Sequence, residues 1–189
     1  MSGTAVPRPR EGWRFAAVVI TALVASGIAR PAAGPAGVAR WADRRLPVAR
    51  GLVLWLDAAR LAEGRQAAGL PALKPGDPVD RWPDAAGGKR DVAQVTPAAR
   101  PIYQPADGFA AVRFDGRAAH LRWSAGGPAA RAVTVFVVAA PYPNRDGFPA
   151  FVSFGAVGRN DFETGLNIDQ AIGSPPRFEV VNVETAGGQ

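Results

Sequence analysis

The apolar positions of this chain come in short runs broken by Gly, Pro, Asn and Asp. After residue 50, no window of about 11 residues holds a clean 3.6-residue apolar stripe, so long helices are not expected. "GLVLWLDA" (51–58) is an almost continuous apolar run closed by Asp57, the pattern of a buried strand. "DVAQV" (91–95), "PIY" (101–103), "AAVRF" (110–114) and "HLRW" (120–123) predict further short strands. "AVTVFVVAAP" (132–141) is rich in β-branched residues and apolar on both faces, which predicts a central strand. "AFVSFG" (150–155), "GLNID" (165–169) and "RFEVVNVE" (177–184) complete the set. One helical turn is expected at Leu61–Ala68, followed by a loop punctuated by Pro71, Pro75 and Pro78. Short strands separated by turns predict an all-β fold, an antiparallel β-sandwich of the jelly-roll kind. The strand set ends at "RFEVVNVE" without a further hairpin, which predicts that the jelly roll is incomplete at its C-terminus.

Residues 110–123 pose a specific question. Alternation on both sides of Asp115-Gly116 predicts two strands joined by a tight turn, immediately before His120, the only histidine. A metal or sugar site is one reading of Asp beside His. The other is a half-buried hairpin in which Asp and Gly turn the chain while Phe114, Leu121 and Trp123 feed the core. The residue pattern favours the turn.

The N-terminal pattern is different. Arg8, Arg10 and Arg14 precede an apolar run from Phe15 to Ile28, and small residues follow. This is the order of a secretory signal peptide over residues 1–29, with cleavage expected near Ala29. The run is too short to span a bilayer, which needs about 20 residues. Any membrane contact is expected only through this segment, and the chain is expected to be secreted, periplasmic or at the cell surface. Residues 30–50, rich in Pro, Ala, Gly and Arg, predict a linker, and residues 51–189 the domain.

Charge and cysteine then narrow the function classes. The net charge is +6, but from Gly51 onward basic and acidic residues balance. The basic excess belongs to the first 50 residues, so the folded domain carries no nucleic-acid stripe and no such partner is expected. Cysteine is absent, which excludes disulfides and Cys-ligated metals. Hydrophobic residues make up 48% of the chain, enough for a packed core without such staples.

The ordered series "GLVLWLDA", "DPVDRWPDAAGGKRDVAQ", "RPIYQ", "AAVRFDGRAAHLRW" and "AVTVFVVAAP" resembles the laminin-G-like, or concanavalin A-like lectin-glucanase, jelly-roll domain of bacterial secreted proteins. The resemblance covers roughly residues 51–183. It implies two curved antiparallel sheets whose concave face or rim binds carbohydrate or protein, sometimes with calcium. The expected function is a non-enzymatic binding or adhesion module. The alternatives are a glycan-active hydrolase of the same fold or a structural spacer of a larger exported protein.

The chemistry-bearing residues agree with that ranking. His120 has no GxSxG elbow to serve, and Ser124, Ser153 and Ser174 stand in no motif. Glu179 and Glu184 have the five-residue spacing of a bulged glucanase motif, but Val181 stands at the middle acid position. No catalytic residue is therefore assigned. No cofactor is expected apart from calcium, for which Asp115, Asp146, Asp161 and Asp169 are read as carboxylates in or beside loops. Asn144, Asp146, Asn160 and Asp161, in "PNRDGF" and "GRNDFE", are the candidate ligands at one rim. Ordinary turn chemistry accounts for the same residues, and no spaced calcium-loop signature is present.

Overall fold

The fold was analysed in a computed structural model, which describes the backbone of residues 20–23 and residues 38–46, 50–105, 108–123, 132–145, 147, 150–156, 159 and 163–185. The elements in chain order are β1 (Ile20–Leu23), β2 (Leu52–Leu56), a 3-10 turn (Ala58–Arg60) running into α1 (Leu61–Ala67), β3 (Arg81–Trp82) and β4 (Val92–Ala93). After a second 3-10 turn (Pro97–Ala99) come β5 (Ile102–Tyr103), β6 (Val112–Arg113), β7 (Thr134–Val137), β8 (Ala150–Phe154), β9 (Leu166–Gln170) and β10 (Val181–Thr185). Among the described residues strands predominate over helix, a mainly-β fold. The sheets among the described residues are small: two of three strands, in the orders β2-β1-β7 and β10-β9-β8, and two two-stranded ladders, β3-β4 and β5-β6.

The core follows from the runs identified above. Leu54 and Leu56 of β2 pack with Leu61, Val79, Trp82, Val92 and Val112, and Phe114, Leu121 and Trp123 join from the side. A second cluster places Trp55 with Ala42, Ala85 and Ala86. Ala42 lies in the stretch whose composition predicts a linker. Residues 38–46 pack on the domain there, and the Ala39 amide donates to the Ala85 carbonyl at 3.0 Å.

Two polar anchors tie the loops to this core. Asp57 closes β2 and caps the turn before α1, its Oδ1 accepting from the Ala59 amide at 2.9 Å. On α1, Arg65 is buried, and its guanidinium donates to the carbonyls of Pro71 and Arg81 and pairs with Asp80, each at 2.8 Å. A guanidinium with so many bonds satisfies its donors away from water and fixes the Pro-rich loop against β3.

"DAAGGKRD" (84–91) forms a third anchor. Asp84 is buried, and its Oδ1 accepts from the amides of Trp55 at 3.0 Å and Ala86 at 2.9 Å. Arg90 reaches across to the Val53 carbonyl at 2.9 Å and lies over the Trp123 ring at 5.5 Å. Gly88 leaves room for this crossing, because a Cβ there would sit 2.0 Å from the Arg90 guanidinium. One short segment thus joins β2 to the residues before β7.

The "FDG" segment does form a turn. Asp115 Oδ1 accepts from three successive amides, those of Arg117 at 2.9 Å, Ala118 at 3.0 Å and Ala119 at 2.8 Å. These amides, Ala119 and Arg117 foremost, hold the carboxyl below the usual range for aspartate. A carboxylate depressed in the folded state adds stability above its unfolded pKa, and that contribution disappears as pH falls through its folded pKa. Asp115→Ala is therefore expected to lower the melting temperature at pH 7. The gap from the parent protein should narrow as the pH is taken below about 4 in a series of thermal melts.

The flanks of that turn differ from the expected hairpin. Among the described residues β6 pairs with β5, while Arg122 makes an isolated bridge to Ala93. The two arms share a turn but join different ladders. The expected central strand also differs. β7 covers only Thr134–Val137 and, among the described residues, lies at the edge of its sheet, with Phe136 57% exposed. Apolar character on both faces therefore does not place this strand at the centre. That place belongs to β1, whose Ile20 pairs with Leu56 of β2 and Val137 of β7, so residues 20–23 of the segment expected to be a cleaved leader stand in the sheet, an arrangement that requires them to be retained.

Candidate functional site

The alternation of "LNIDQ" and "VNVET" determines which side chains share a face of the β10-β9-β8 sheet. Asn167 lies opposite Glu184 on β10 and Ser153 on β8, and Asp169 lies opposite Asn182 and Ala150. Directly opposed residues point to the same side, so Ser153, Asn167, Asp169, Asn182 and Glu184 form one polar face. The other face takes Val152, Ile168 and Val183. Its Phe154 packs against the main core.

The centre of the polar face is sealed and its margin is open. Asp169 is fully buried and Asn167 is 3% exposed, both on the middle strand, whereas Asn182 and Glu184 are half-buried and Ser153 is exposed. Asp169 Oδ2 accepts from the Asn167 side-chain amide at 2.8 Å, and its Oδ1 accepts from that of Asn182 at 3.2 Å. Among the described residues no cationic side chain reaches Asp169. Asn167 Oδ1 is buried with no hydrogen-bond partner. Asp169 on the neighbouring strand thus orients Asn182, whose half-buried side-chain amide lies at the margin of the face.

Of the predicted rim ligands, Asp146, Asn160 and Asp161 lie outside the described residues. Asn144 is buried, donating its side-chain amide to the Gln170 carbonyl at 2.7 Å and to the Gly147 carbonyl at 3.4 Å. Its backbone exchanges hydrogen bonds with Gly173 and Ser174, so this residue ties the segment before β8 to the turn after β9. Asp169, expected at the end of the 165–169 strand in or beside a loop, is the fourth residue of β9. Glu179 precedes β10 in a run of bends and pairs with Arg177, so only Glu184 of the two glutamates is a strand residue. No group of three or more His, Cys, Asp or Glu side chains gathers for a metal among the described residues.

His120 is exposed and has structural partners. Its Nδ1 is 2.8 Å from the Ala118 carbonyl, and its Nε2 is 2.8 Å from Gln94 Nε2. A carbonyl can only accept, so Nδ1 carries the proton and Nε2 accepts from Gln94. The imidazole braces the Asp115 turn against residues 94–96.

Sequence reasoning passed over Asn167 and Asn182. The signal was the period-two polar pair on each strand, Asn167 and Asp169 in "NID" and Asn182 and Glu184 in "NVE". No described helix is long and apolar enough to cross a membrane. No protein-family model, curated protein or solved structure matches the chain.

Proposed function

We propose that this chain is a non-enzymatic binding module of an exported protein, a laminin-G-like β-sandwich that takes glycan on the polar face of the β10-β9-β8 sheet. The observation that supports this reading is the open margin of that face. Asn182 and Glu184 stand half-buried on β10, beside β9, whose Asp169 holds Asn182 by a 3.2 Å hydrogen bond. A side-chain amide held by its neighbour suits a ligand rich in hydroxyls, since it can both donate to and accept from a sugar. A flat sheet encloses little of such a ligand, so binding is weak. Hydrolysis of a glycoside needs two carboxyl groups flanking the scissile bond at about 5–9 Å. Glu179, the sequence partner of Glu184, is engaged with Arg177 outside the strand.

A glycan array probed with the full chain tests the proposal. Binding to a subset of glycans is expected, weakened about tenfold by Asn182→Ala, which corresponds to loss of roughly one hydrogen-bonding contact. Binding unchanged by both Asn182→Ala and Glu184→Gln overturns the site. Turnover of a glycan abolished by Glu184→Gln identifies the hydrolase alternative. Absence of glycan binding, with every variant folded, leaves the spacer reading.

A further inference from the structure

We propose that the place between β2 and β7 is an acceptor slot for an extended strand, filled by β1 in the full chain and opened, by removal of the leader, to a strand from a second polypeptide. The partner is defined by its chemistry: a short extended segment with apolar residues at alternate positions. The inference rests on the export reading above, since an export signal would be cut near Ala29, on the domain side of β1. It does not involve the polar face of the β10-β9-β8 sheet.

Two independent observations carry it. The first is the sheet order. Among the described residues β1 alone joins β2 to β7, and it runs antiparallel to both, so β2 and β7 run parallel to each other. Neighbouring strands lie about 4.8 Å apart, so taking β1 away leaves roughly 10 Å between the two that remain. Closing that gap would move one of them by a whole strand width. Leu54 and Leu56 of β2 and Val137 of β7 all pack in the main core, which holds both strands in place. The gap therefore keeps the width of one strand and is walled by two rows of unpaired backbone groups, which an added strand satisfies on both sides at once. The second observation is the sequence of the strand that fills it. Ile20–Leu23 lies inside the Phe15–Ile28 run that follows Arg8, Arg10 and Arg14, in the order of a cleavable signal. The central strand of this sheet is thus the segment whose sequence provides for its removal.

The register selects the occupant. The position of Ile20 stands opposite Leu56 and Val137, and that of Ala22 opposite Leu54 and Val135. Leu54, Leu56 and Val137 belong to the main core, so these two positions call for apolar residues, and a charge at either is buried without a partner. The position of Thr21 stands opposite Trp55 and Phe136 on the other face, where Phe136 is largely exposed, so a β-branched polar residue is accepted there. Every backbone N–H of a central strand faces one neighbour or the other, so proline is excluded. A strand with this pattern from a second chain meets the same walls that β1 meets in the full chain.

The test begins with the full chain expressed in a bacterium for export and the N-terminus of the product sequenced, where a start beyond Leu23 is expected. That product is then titrated with a lysine-flanked synthetic peptide of residues 18–25, followed by fluorescence anisotropy and thermal melting. Saturable binding and a rise in melting temperature are expected. Thr21→Pro or Ile20→Asp in the peptide should weaken binding at least tenfold, and a scrambled peptide of the same composition should not bind. Should the processed product fail to fold alone, a cooperative melt regained with the parent peptide and not with the scrambled one is the same result. Two results overturn the proposal: a folded product that retains residues 20–23, or a processed product on which the parent, proline and scrambled peptides act alike or not at all. Glycan binding by the same product is read separately, so failure of the slot and failure of the glycan site are distinguishable.

Discussion

Trp82→Ala is expected to cost about 4 kcal/mol of folding stability, read as a fall in the denaturant midpoint with little change in slope. Trp82 is 1% exposed and sits in the cluster that joins Leu54 and Leu56 of β2 to Val92 of β4 and Val112 of β6. Its removal leaves a cavity where three ladders meet, and short strands cannot close around it without losing their register. Trp82→Phe distinguishes volume from polarity. The indole Nε1 is buried without a hydrogen-bond partner, so Phe discards an unsatisfied donor along with some volume. Its expected cost is about 1 kcal/mol. Equal losses for Ala and Phe would show that the ring's shape, and not its bulk, holds the cluster.

Asp84→Ala is expected to cost about 3 kcal/mol, because it removes one acceptor from two buried amides. The Trp55 and Ala86 amides both donate to the same Oδ1, and both residues are themselves buried, so water does not replace the lost bonds. Asp84→Asn keeps an oxygen at that position. It disturbs only the weaker contact of Oδ2 with the Arg90 amide at 3.3 Å, and should cost about 1 kcal/mol. Chemical denaturation of the three proteins side by side measures the order Asp, Asn, Ala. If Asn proves as destabilising as Ala, the carboxylate's charge, not its geometry, is the stabilising feature.

These two residues also show what can be read in the sequence. The apolar run "GLVLWL" announces β2, and the DG pair announces the turn at Asp115, because strand burial and turn chemistry act over a few neighbouring residues. The role of Asp84 was not legible. Its bond to Trp55 spans 29 residues, and no local pattern encodes such a partner. Register was equally hidden. Val112 and Arg122 straddle one turn yet pair with β5 and β4 residues, a choice made by which ladders reach the core first in space. The polar face was half legible. Alternation in "LNIDQ" implies that Asn167 and Asp169 share a side, but their meeting with Asn182 and Glu184 depends on the register of β10. β10 itself begins later than "RFEVVNVE" implied, since Arg177 and Glu179 are taken up by a bend and pair with each other.

The position of β1 between β2 and β7 has a consequence for biogenesis. Ile20 finds one partner in Leu56 and the other in Val137. A ribosome adds about 5–20 residues per second, so Val137 follows Leu56, which completes the β2-β1 ladder, by roughly eighty residues, on the order of ten seconds. Throughout that interval the edge of β1 that β7 will cover stays bare on the nascent chain. Such an edge is a template for pairing with other extended chains, so the interval before β7 emerges is when this polypeptide most needs a chaperone.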